Sequence, residues 1–199
     1  MPGISTHINF SRIVLERIEI SFDNKCFVLG SIAPDSANAL QDDRAFQTHH
    51  FILTHTMSDL KFFLDITQKN RRQKNLTERS FIGGYYSHLW LDCFTLTQDE
   101  ELKIAGSPVE FKENVRNYDM LAIKDFVKNI KEPHTQISGI PVLNFLSISA
   151  IMKLWGEFID TLDEFRENKS MIIALDRETY NQFLIKAANA FIKDLHRNF

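Results

Sequence analysis

Cysteine, proline and glycine are all scarce in this chain: 199 residues include two Cys, five Pro and seven Gly. The two cysteines, Cys26 and Cys93, are far apart in sequence. They therefore offer neither a disulfide framework nor the CxxC pairs of a structural zinc finger. A reducing compartment is expected, with the cytoplasm as the location. So few Gly and Pro also leave no clear β-hairpin signature. No apolar run reaches the ~20 residues of a bilayer-crossing helix. The segment "MPGISTHINFSRIVLERIEI" lacks a basic stretch followed by an unbroken apolar one, so no secretory leader is expected. A formal net charge of −3 gives no electrostatic footprint for nucleic acid or an anionic membrane.

Apolar residues are plentiful, at 44% of the chain, enough for one sizeable core. Their spacing is helical. Ser5 or Thr6 would cap a first helix to about Ile18, with Ile8, Val14, Leu15 and Ile18 on its apolar face. "CFVLGSIAPD" is a short apolar segment that Pro34 stops. "HTMSDLKFFLDITQ" reads as a helix, as does the stretch from Arg79 to about Leu96. "NYDMLAIKDFVKNI" gives another, ended by Pro133, and residues 142–165 a longer one. Asp176 would cap a last helix whose stripe is Tyr180, Phe183, Leu184, Ala187, Phe191 and Leu195. With no repeat and no linker, the expectation is a single all-α domain spanning residues 1–199. The 17 phenylalanines are read as its core.

The stretch "FIGGYYSHLWLDCF" sets His88 and Asp92 four residues apart inside an apolar helix. Residues i and i+4 share a face, so both polar groups point into the same buried surroundings. A buried carboxylate demands compensation. A plain structural His–Asp pair would satisfy that demand, and so would a metal ion. Gly83 and Gly84, one turn earlier, leave room for another backbone to approach; close helix packing alone would also use them. Other imidazoles and carboxylates lie upstream: Asp35 in "GSIAPDSAN", Asp42 and Asp43, and His49 and His50 in "THHF". Mixed donors of this kind suit zinc, iron or manganese. Asp35 is equally suited to capping a helix that begins at "SANAL". His49 and His50 are neighbours and cannot both reach one ion from the same backbone. The basic run holding Lys69, Arg71, Arg72, Lys74 and Arg79 is either a solvated loop or an attractor for a phosphate ester.

The order His7 in "STHINF", then "GSIAPD", then "THHF", then "GYYSHLWLD" resembles the zinc-dependent phospholipase C family, which includes the related P1-type nucleases. The resemblance is carried by the first half of the chain. It implies an all-helical bundle built around zinc ions. Residue by residue it implies metal ligation by His7, Asp35, His50, His88 and Asp92. Asp35, His50, His88 and Asp92 would share one ion, with Asp92 bridging to a second held by His7. His50, which precedes Phe51, is the implied ligand of its pair. Asp35 would also orient an attacking water. The family's further site uses an HxxxE helix, which this chain lacks, and only His134 and His196 lie beyond Asp92. One or two Zn2+ ions, or another divalent transition metal, are therefore expected, with Asp119 or water completing a site. The implied activity is metal-dependent hydrolysis of a phosphate ester, either a phospholipid or a small phosphoester. The alternative is a non-catalytic helical metalloprotein whose metal serves the fold or a partner.

Overall fold

A computed structural model of the protein describes residues 2–36, 57–68, 75–97, 107–130 and 146–198. Among them every regular element is helical: α1 (Ile4–Leu15), α2 (Asn24–Ile32), α3 (Met57–Gln68), α4 (Leu76–Thr97), α5 (Pro108–Lys128), α6 (Ile148–Glu164) and α7 (Arg177–Asn198). The all-α expectation holds. No helix among the described residues is long and apolar enough to cross a membrane. His49, His50, Pro133 and His134 lie outside the described residues.

α4 is the axis of the bundle. Every residue from Ser80 to Cys93 is buried, so this helix has no solvated face there and packs on all sides. Its start is fixed by a reciprocal cap. Asn75 Oδ1 accepts from the Glu78 N–H at 2.9 Å, and the Glu78 carboxylate accepts from the Asn75 N–H at 3.3 Å. That cap begins the helix at Leu76, ahead of the expected Arg79.

Against α4 lies α2, the most extensive helix pair among the described residues. Asp23 caps α2 by accepting from the Cys26 N–H at 3.0 Å, while its own N–H donates to the Ser80 hydroxyl at 2.8 Å. The two backbones then touch. A Cβ on Gly30 would lie 2.0 Å from the Phe81 carbonyl oxygen, and one on Gly84 would lie 1.8 Å from that of Phe27. Glycine is required at both positions for want of room, and this contact brings the end of α2 beside His88.

α1 begins at Ile4, with Gly3 at the cap position and no side-chain cap bond. Ser5 and Thr6, the expected caps, are instead buried inside the helix. Thr6 links helices rather than capping one, because its hydroxyl donates to Asp119 of α5 at 2.6 Å. The same carboxylate accepts from the Asn9 amide at 2.8 Å and the Tyr180 hydroxyl at 2.9 Å, tying α1, α5 and α7 together. α5 starts at Pro108 behind a Ser107–Glu110 capping box, well before the expected Asn117. α7 follows the Asp176 cap, whose carboxylate accepts from the Thr179 N–H at 2.9 Å. Its predicted stripe is wholly buried. Rings of Phe10, Tyr86, Trp90 and Phe191 meet at 5.5–6.2 Å in tilted, stacked and edge-on pairs and fill the centre.

Candidate metal centre

His7 comes from α1, and His88 and Asp92 from one face of α4. All three are buried, with 1%, 1% and 3% of their surface exposed. Asp92 faces both imidazoles, with Oδ1 3.5 Å from His7 Nε2 and Oδ2 3.4 Å from His88 Nε2. The two rings lie stacked, with centroids 3.6 Å apart and planes 11° apart.

The tautomer of His88 follows from its neighbour. Nδ1 lies 2.7 Å from the Ser31 carbonyl oxygen. A carbonyl only accepts, so Nδ1 carries the hydrogen. In the neutral ring Nε2 is therefore a lone pair, and it faces a carboxylate oxygen. Two acceptors held face to face in a buried site call for a cation between them, either a proton or a metal ion. This is also the arrangement of a metal-binding histidine, whose second nitrogen donates to a backbone carbonyl.

The charges agree. Burial pushes the His88 imidazole toward its neutral form, but the Asp35 charge, then contact with Asp92 and the Ser31 carbonyl, outweigh it and hold the pKa above 6.5. Asp35 sits half-buried in a tight turn of residues 34–36 that follows α2. Its charge favours the protonated form of His88. Asp35 and Asp92 both favour positive charge at His88, and a divalent cation would answer the same demand.

The donor separations also fit. Zinc binds nitrogen and oxygen at about 2.0–2.2 Å, so neighbouring donors of a tetrahedral site lie about 3.3–3.6 Å apart. The contacts of 3.4 and 3.5 Å match, and one donor atom from each of His7, His88 and Asp92 lies within 4.8 Å of the others. Of the predicted ligands, the structure groups His7, His88 and Asp92; Asp35 is not in this donor group, and His50 lies outside the described residues. Asp119 is not in this donor group. It is engaged by Thr6, Asn9 and Tyr180, and burial, only partly offset by those hydrogen bonds, raises its pKa to about 6. The orienting group that sequence reasoning missed is the Ser31 carbonyl. It is a backbone atom, and the only trace of it in the sequence is the small residue at Gly84 that admits α2.

A family model described as zinc dependent phospholipase C matches residues 6–165 of the chain. No curated protein and no solved structure matches it.

Proposed function

The chain belongs to the zinc-dependent phospholipase C family, and from that premise we propose that it hydrolyses a phosphate ester at the centre formed by His7, His88 and Asp92. The observation that carries the proposal is the pair of contacts from one buried carboxylate to two buried imidazoles. When bound, zinc supplies a Lewis acid that offsets charge on phosphoryl oxygens and lets water act as a nucleophile near neutral pH.

The chain's own residues divide the remaining work. Ser31 fixes the His88 ring and directs Nε2 into the centre. Asp92 presents one oxygen toward each imidazole, an arrangement that suits a carboxylate shared between two ions. In this reading His50 completes the first ligand set, and Asp35 orients the attacking water and takes up its proton. The substrate class proposed is a phosphomonoester, phosphodiester or phospholipid. The setting proposed is the cytoplasm, which suits two buried cysteines not joined in a disulfide.

One observation favours a second reading. All three donors are almost wholly buried, as in a closed structural site, whereas catalysis needs a coordination position open to water. Zinc-loaded protein incubated with a panel of phosphomonoesters, phosphodiesters and phospholipids separates the two. The proposal expects turnover of at least one class, abolished by chelation and restored by zinc. A fully loaded protein that turns over none of them would leave the structural reading.

A further inference from the structure

A cavity of about 710 Å3 opens between α1, the end of α4, α5, α6 and α7. Its volume falls within the ~300–1,000 Å3 range of small-molecule pockets. Val115, Met120, Leu154, Phe158, Phe183 and Leu184 form its apolar wall. Phe158 and Phe183 belong to the buried core and also line this space. None of His7, His88 and Asp92 lines it.

The cavity has a charged side. Lys112 and Arg116 sit four residues apart on α5, hence on one face of the helix, and both line it while remaining exposed. Neither forms an ion pair with another described residue. Glu157, the acid in the lining, is engaged by Lys153 at 3.8 Å. An apolar wall with two such cations in the same lining complements a molecule with an aliphatic body and an anionic head.

We propose that this cavity binds a single-chain amphiphile with an anionic head, its chain against the apolar wall and its head held by Lys112 and Arg116. Fatty carboxylates and monoacyl phosphates share that chemistry. The site stands apart from the phosphoesterase reading, because its wall contains none of the metal donors.

The test is calorimetric titration of the full-length, zinc-loaded protein with octanoate, decanoate, dodecanoate and decyl phosphate, each below its micelle concentration, and with decanol as the neutral control. Saturable one-site binding is expected, tightening about fourfold per added methylene until the cavity is full. The tighter of decanoate and decyl phosphate identifies the head group. Leu154→Trp fills the cavity and should weaken decanoate at least tenfold with zinc content unchanged. Val115→Phe serves the same purpose if Leu154→Trp loses zinc. The double change Lys112→Glu with Arg116→Glu should weaken both anions at least tenfold and leave decanol unchanged. Absence of saturable binding, affinity indifferent to chain length, binding that survives the cavity-filling change, or equal effects of charge reversal on decanoate and decanol would each overturn the proposal.

Discussion

Gly84 of α4 meets Phe27 of α2 so closely that a Cβ on the glycine would stand 1.8 Å from the Phe27 carbonyl oxygen and 2.9 Å from the Ser31 nitrogen. The same approach sets the Ser31 carbonyl 2.7 Å from His88 Nδ1. Helix packing and metal-site geometry are therefore one feature. Gly84→Ala is predicted to force α2 away, costing about 3 kcal/mol or more, and to weaken zinc binding by releasing the His88 ring. Gly156→Ala is the control. Nothing lies within 4 Å of its Cβ position on the exposed side of α6, so it should stabilise by about 0.5–1 kcal/mol. Urea unfolding and zinc titration of both variants check this; similar stabilities would contradict the packing account.

Asp119 gives the fold a pH dependence whose sign is fixed. In the folded protein its pKa is raised to about 6 from 3.8, because burial opposes its charge. Between those values the folded state holds more protons than the unfolded chain, so this group's contribution falls as pH rises from about 4 to about 6 and is level above that. Asp119→Asn removes this component. Relative to the variant, the wild type should lose up to about 3 kcal/mol between pH 4 and pH 7. Unfolding of the two proteins at equal zinc loading measures the difference, and parallel profiles would refute it.

The two contacts of Asp92 predict a graded response in the metal site. His7→Ala removes one donor and leaves His88, Asp92 and the Asp35 charge, so at most one ion should be lost. Asp92→Asn keeps the size and removes the charge facing both imidazoles. It should lose all or nearly all tight binding, with affinity down by more than about 100-fold. Zinc titration of each demetallated variant decides it. Full stoichiometry in Asp92→Asn would end the role assigned to that carboxylate.

Much of this was legible in the sequence where a periodicity or a spacing carried it. The stripe from Tyr180 to Leu195 predicted α7 and its buried face, and the i, i+4 spacing set His88 and Asp92 together. Gly84 announced a close approach without saying which backbone would make it. The start of α5 was readable too, in Ser107-Pro108-Val109-Glu110, but the apolar pattern further along drew the boundary to Asn117. Other features have no local signature. Thr6 reads as a cap, and only the folded position of Asp119 explains why its hydroxyl is buried. The Ser31 carbonyl is common to every residue type. The cavity is assembled from five helices spread along the sequence, so no single stretch displays it.

The most direct test of the metal centre compares zinc content in the wild type, His88→Ala and His196→Ala after dialysis against metal-free buffer. His88 faces Asp92 in the buried centre, whereas His196 is exposed near the end of α7. The account predicts at least one zinc per chain in the wild type and in His196→Ala, and a large loss in folded His88→Ala. Equal zinc in the two variants, or only trace metal in a folded wild type, would contradict it.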